Sequence, residues 1–110
     1  MGKSYIFTFK IEALRILAKK ILRDFWGKHP NSEQQLKSWY LETENAEWAN
    51  PNEIKIEYPN ASILSNNRIV FNIKGNHYRL IIKISYDYKM VWIRFIGTHS
   101  EYDKINATTI

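Results

Sequence analysis

The chain has 110 residues, enough for one small domain with one modest core, and carries a net charge of +5. It contains no cysteine, which excludes disulfides and thiolate chemistry and suits a reducing cytoplasm. No apolar run reaches the roughly 18 residues of a membrane span, and Lys10, Glu12 and Arg15 interrupt any signal-peptide pattern, so a cytoplasmic protein without a membrane partner is expected.

Residues 1–14 read as an N-terminal extension, variable or frayed, ahead of a single domain over residues 15–110, although Tyr5, Phe7 and Phe9 alternate with Ile6 and Thr8 as an added strand would. Arg15 to Leu17 is short and apolar enough for an edge or pairing strand. From Lys19 the spacing of Leu22, Phe25 and Trp26 becomes helical, and His29-Pro30 stops that helix because proline disfavours the α conformation before it. Asn31 and Ser32 are candidate caps for a second helix, with Gln34 or Gln35 closing a capping box and Leu36, Trp39, Tyr40 and Thr43 on the inner face. Asn50-Pro51, with Glu53 three residues after the cap, predicts a short third helix ending near Tyr58, before Pro59. The aromatics Phe25, Trp26, Trp39, Tyr40 and Trp48 are assigned to the core rather than to base stacking.

The second half alternates. Ile69, Phe71 and Ile73 fall on one side of a strand, with Arg68, Val70, Asn72 and Lys74 on the other. Gly75-Asn76 predicts a two-residue hairpin turn. Pairing Lys74 with His77 then sets Asn72 against Arg79 and Arg68 against Lys83, with Tyr78, Leu80, Ile82 and Ile84 inside. After the loop Ser85 to Lys89, a third strand offers Val91, Ile93 and Phe95 inward and Trp92 and Arg94 outward. Arg68, Lys74, Arg79, Lys83 and Arg94 thus share one face without an acidic residue. Like charges opposed across strands are destabilising, so folding alone does not favour that layout, and a polyanion-binding surface accounts for it better than an ordinary solvated face. The charge is uneven in the same sense: residues 1–61 hold nine basic and eight acidic groups, residues 62–110 seven and three. A basic surface of this size suits nucleic acid, an anionic membrane or an acidic protein alike.

Candidate chemistry follows the third strand in GTHSEYDKI, Gly97 to Ile105, where Gly97 and Thr98 turn the chain off the sheet and Ser100 is placed to cap one helical turn bearing Tyr102 and Lys104. Imidazole, phenol, guanidinium and ammonium converge there. Cleavage of RNA by its 2′-hydroxyl needs a proton acceptor, a donor and positive charge around the phosphate. His99 suits proton transfer near neutrality, whereas Arg79 and Arg94 cannot readily give up a proton and fit the role of clamps on developing charge.

The segments FNIKGNHYRLIIKI and IRFIGTHSEYDKI, with LRDFWGKHPNSEQQLKSWY and EYPNASILSNNRIVF, resemble the HigB family of type II toxin-antitoxin toxins in the RelE/ParE superfamily, over about Arg15 to Ile110. The resemblance implies an α+β, RelE-like fold: N-terminal helices packed on a small, mainly antiparallel sheet with a short C-terminal helical turn. It implies a ribosome-dependent mRNA interferase, an endoribonuclease that cuts mRNA in the ribosomal A site of the 70S ribosome, and a HigA-type helix-turn-helix antitoxin. By matching position, Arg79 resembles the central arginine that stabilises the phosphate, Arg94 and Lys74 the basic positions beside it, and His99 and Tyr102 the C-terminal catalytic region. His99 is assigned to proton transfer and Tyr102 to stacking or orientation, with Arg68, Lys74, Lys83 and Lys104 as RNA-binding groups. No metal or other cofactor is expected. Residues Met1 to Glu12 depart from the family pattern. Two other classes use the same face: a non-catalytic RNA binder or ParE-like gyrase inhibitor, and a scaffold for an acidic protein.

Overall fold

The computed structural model describes residues 14–110. The alternation of Tyr5, Phe7 and Phe9, and the extension except for its last residue, lie outside these residues. Leu14 itself is buried in the core, 1 % exposed.

Five strands form one sheet: β1 (Arg15–Leu17), β2 (Ser62–Leu64), β3 (Arg68–Ile73), β4 (Tyr78–Ser85) and β5 (Met90–Thr98), in spatial order β1-β5-β4-β3-β2. β1 lies parallel to β5 and the other pairs are antiparallel. Helices α1 (Lys19–Lys28), α2 (Glu33–Glu44) and α3 (Pro51–Glu57) and a final turn, α4 (His99–Tyr102), complete the expected α+β architecture. The core includes Leu22, Phe25, Leu36, Trp39 and Ile54 from the helices and Ile69, Phe71, Ile73, Leu80, Ile82, Ile84, Val91 and Ile93 from the sheet. Among the described residues no helix is long and apolar enough to cross a membrane.

Local chemistry departs from expectation at four places. Ser32 does not cap α2. A 3₁₀ turn over Pro30–Ser32 already leads helically into α2, so Ser32 has helical angles and its hydroxyl donates back to the His29 carbonyl at 2.7 Å. That leaves Asn31 to accept from the Tyr78 hydroxyl, and Gln35 to accept from the Lys74 N–H at 2.6 Å, two ties between helix and hairpin. The hairpin keeps the expected register, Arg68 opposite Lys83 and Asn72 opposite Arg79, but its left-handed residues are Lys74 and Gly75, not Gly75 and Asn76. β2 had no expectation at all. Finally, the aromatics Trp26 and Tyr40 are only half-buried, with the Lys37 and Lys19 ammonium groups over their rings at 5.3 and 4.5 Å.

The α3 cap does form: the Asn50 side chain accepts from the Glu53 N–H at 3.2 Å, and Glu53 reaches back to the Ala49 N–H at 2.6 Å. The helix ends at Tyr58, whose hydroxyl donates to Glu42. Burial first, and the Glu42 carboxylate second, push the Tyr58 phenol far above the ordinary tyrosine range.

Candidate functional site

β5 does not alternate along its whole length. Ile82 pairs with Ile93 but Ile81 pairs with Phe95, so Arg94 is the extra residue of a β-bulge. The bulge reverses parity beyond it. Val91 and Ile93 face the core as expected, but Phe95 sits opposite Ile81 on the outer, basic side, and Ile96, opposite Leu80, turns toward the core instead. The inward assignment of Phe95 is therefore corrected.

The outer face is also not one continuous basic surface. Arg68 is 8 % exposed; its guanidinium donates to the Asn66 carbonyl at 2.9 Å and to the Ile110 main-chain oxygen at 2.6 Å. Arg94 Nε donates to that same oxygen at 3.3 Å, and the Asn66 amide donates to the Thr108 carbonyl at 3.0 Å. Residues 106–110 thus cross the lower half of the face. Val70 and Ile81, although outward, are buried there. Lys83 stays exposed beside the Trp92 ring, 5.9 Å from its centroid. Of the groups expected to bind RNA, Lys74, Lys83 and Lys104 are exposed, while Arg68 is taken up by the tail.

The upper half holds the candidate site. Arg79 faces Gly97 across the β4–β5 ladder. Its guanidinium is steadied by the Asn76 and Tyr78 carbonyls at 3.2 and 3.4 Å and lies 5.8 Å from the centre of the Tyr102 ring, within cation–π range. Tyr102 belongs to α4, which is fixed at its start by a complete capping box. Thr98 Oγ1 accepts from the Glu101 N–H at 3.1 Å, and the Glu101 carboxylate accepts from the Thr98 N–H at 2.8 Å. The cap is Thr98, not Ser100, because the helix starts one residue after Thr98 and the box needs its acid at the third helical position. A main-chain bond from the His99 N–H to the His77 carbonyl, 3.1 Å, ties the turn to the β3–β4 hairpin.

His99 stands three residues before Tyr102, on the same side of the turn. Its Nδ1 lies 3.1 Å from Asp103 Oδ2. With the ring hydrogen on Nδ1, the imidazole donates to Asp103 and Nε2 keeps a lone pair facing away from that bond. Asp103 was missed in the sequence, although an acid four residues after a helical histidine is a readable signal. Gly97 was read only as a turn residue, yet a Cβ there would stand 2.5 Å from Phe95 Cζ and 2.8 Å from the Glu101 carboxylate. The structure thus brings Arg79 and Tyr102 together, sets His99 on the same turn, and leaves Arg94 at the bulge further down β5 with the tail. A cleft of about 450 Å³ beside the hairpin, lined by Gln35, Tyr58, Asn60, Phe71 and Asn72, takes in none of the residues singled out for catalysis or RNA binding.

Residues 32–105 match the family HigB_toxin, described as the RelE-like toxic component of a toxin-antitoxin system. An mRNA interferase HigB of Escherichia coli O6:H1 is 28% identical over 94 residues, covering 84% of this chain and 91% of that protein. The mRNA interferase toxin HigB of Escherichia coli K12 is 24% identical over 96 residues, 86% and 92% of the two chains. The matched span runs through α2, α3, strands β2 to β5 and the α4 turn, so the chain belongs to the HigB toxin family, the RelE-like toxic components of toxin-antitoxin systems.

Proposed function

We propose that the chain is an mRNA interferase that acts on mRNA in the A site of the ribosome, is neutralised by a HigA-type helix-turn-helix antitoxin, and works in the cytoplasm. The names of its relatives support the activity. The observation that carries the site is the Arg79 guanidinium against the Tyr102 ring, on a turn that also holds His99 with Nδ1 engaged by Asp103.

In this reading the scissile phosphate rests against Arg79, which stabilises the charge that builds on its oxygens. His99 Nε2 takes the proton of the 2′-hydroxyl as that oxygen attacks phosphorus. The bond from phosphorus to the 5′ oxygen breaks, leaving a 2′,3′-cyclic phosphate, and the departing oxygen takes a proton from solvent to become a hydroxyl. Tyr102 orients or stacks on a neighbouring base. Arg94, Lys74, Lys83 and Lys104 supply positive charge along the strand, while Arg68 serves the tail that it binds.

Primer-extension mapping of transcripts after induction tests this. Arg79→Ala should lower cleavage by about 10²–10³, the scale of losing one preorganised group that stabilises an anionic transition state, with the fold intact by circular dichroism. Undiminished cleavage by a folded Arg79→Ala protein removes the site. DNA damage with intact transcripts after induction of wild type would instead identify a gyrase inhibitor. His99→Gln should reduce cleavage more than ribosome binding, and equal loss of both would leave His99 a positioning role only.

A further inference from the structure

We propose that the groove between α1 and α2 is the docking surface for the antitoxin, and that its occupant there is an acidic helical segment presenting an aliphatic or aromatic side chain. The groove is a cleft of about 530 Å³, floored by Trp26 and Tyr40 and edged by Leu41, with Lys19, Arg23 and Lys37 around it and Glu44 at one end. Leu41, in the last turn of α2, is 58 % exposed. A single exposed leucine needs no explanation. A leucine continuous with two half-buried aromatic rings around one cleft is an apolar patch of the kind that marks a protein contact.

The charge around the cleft specifies the partner. α1 carries Lys19, Lys20, Arg23 and Lys28 against the single acid Asp24, a net +3 over its ten residues. Lys20 already pairs with Asp24 at 2.7 Å and Lys37 with Glu33 at 2.5 Å, but Lys19 and Arg23 have no carboxylate within salt-bridge distance among the described residues. Two cations beside an apolar floor fit carboxylates that flank an apolar side chain, the helix-in-groove mode of recognition. RNA fits less well, because exposed Leu41 at the edge of the cleft offers nothing to a phosphate. The toxin-antitoxin family supplies the partner, since the chain's family is defined by its pairing with an antitoxin. The groove lies on the helices, whereas Arg79 and Tyr102 lie on the outer face of the sheet and the turn after it, so an antitoxin seated in it needs no contact with the cleavage site.

Calorimetric titration of the purified cognate antitoxin into the full chain tests the proposal, with the toxin carrying Arg79→Ala in every arm so that it can be produced. Leu41→Glu should weaken binding by about tenfold or more, by losing the burial of one aliphatic side chain and opposing the partner's charge. Arg23→Glu, which reverses one of the cations lining the cleft and leaves Trp26, Tyr40 and Leu41 in place, should weaken it as well. In a translating extract, antitoxin-free toxin bearing only Leu41→Glu should cleave mRNA at the wild-type rate. Unchanged antitoxin affinity for both folded variants overturns the proposal. Lost cleavage with intact antitoxin binding overturns it too, and assigns the groove to the ribosome or its RNA. The binding arm needs no catalysis, so a wild-type chain that fails to cleave would refute the interferase reading without touching this one.

Discussion

Replacing Gly97 by alanine tests whether the capping box and the Phe95 ring together hold the α4 turn in place. Gly97 does not have a left-handed φ, so alanine carries no backbone penalty there. Without a clash it would stabilise by about 0.4–1 kcal/mol through the unfolded chain. The new Cβ, however, would stand 2.5 and 3.0 Å from two Phe95 ring atoms and 2.8 Å from the Glu101 carboxylate oxygen. Both neighbours must move. Displacing the carboxylate breaks its bond to the Thr98 N–H, and losing a cap costs about 1 kcal/mol. Pushing the half-buried ring off its rotamer costs about 0.5–1.5 kcal/mol more. The sum outweighs the entropic gain and leaves a net loss of about 1 kcal/mol or somewhat more, a fall in Tm of several degrees at about 4–8 °C per kcal/mol. Because His99 and Tyr102 ride on the displaced turn, transcript cleavage should fall by more than the stability loss explains. Urea titration gives the stability, and a second background gives the cause: in Phe95→Leu, which lacks the colliding ring atoms, Gly97→Ala should cost only about 0–0.6 kcal/mol, the lost cap set against the entropic gain. Gly97→Ala that is more stable than wild type, or that costs the same in both backgrounds, refutes this account of the turn.

Arg68→Met should release the tail. It removes charged bonds to the Asn66 and Ile110 oxygens from a nearly buried position, a loss of about 2–3 kcal/mol, and hydrogen exchange at residues 106–110 should quicken well beyond that of β4. Equal protection of the tail in both proteins would refute the anchor. Alkaline titration probes Tyr58. Its folded pKa lies above its unfolded value near 10, so above that pH the unfolded chain binds fewer protons and stability declines as pH rises. Tyr86, raised by burial, adds in the same direction. Tyr58→Phe should flatten the decline measured by urea unfolding between about pH 9 and 11, and an unchanged slope would show that Tyr58 is not the group responsible.

What was legible in the chain followed from short-range physics. The Gly75 turn and the parity of β3 and β4 are local constraints, so they gave the Asn72–Arg79 and Arg68–Lys83 register directly. The Asn50-Pro51 start of α3 was readable for the same reason. β2 was not legible because Ser62–Leu64 is three residues long and gains its strand conformation only from pairing with β3. The bulge at Arg94 was not legible because nothing in VWIRFIG marks the extra residue, and every position beyond it inherits the error, Phe95 first. The α4 cap was legible but misread: THSE is a capping-box pattern, and starting from Ser100 placed it two residues late.

The tail also resolves a conflict that parity alone created. Arg68 opposite Lys83 on an acid-free face would repel across the ladder, which made function appear the sole reason for the charge. The structure gives four of the five basic groups on that face different answers. Arg68 meets two main-chain oxygens, Arg94 shares one of them, Lys83 lies against Trp92, and Arg79 lies against Tyr102 with two carbonyls behind it. None of the partners of Arg79 is a carboxylate. A carboxylate would neutralise the cation, whereas a carbonyl dipole or a ring face orients it and leaves its charge in place. Arg68, nearly buried, holds the tail through its two oxygen acceptors. For Arg79, only half-covered, carbonyls and a ring leave a pre-oriented guanidinium open toward solvent, the condition a phosphate-binding group requires. Introducing an acid beside Arg79 therefore separates orientation from charge: Asn72→Asp, directly opposite it in the ladder, should keep the fold yet depress cleavage by neutralising the clamp. Full activity in that variant would mean that the charge of Arg79 is not what the site uses.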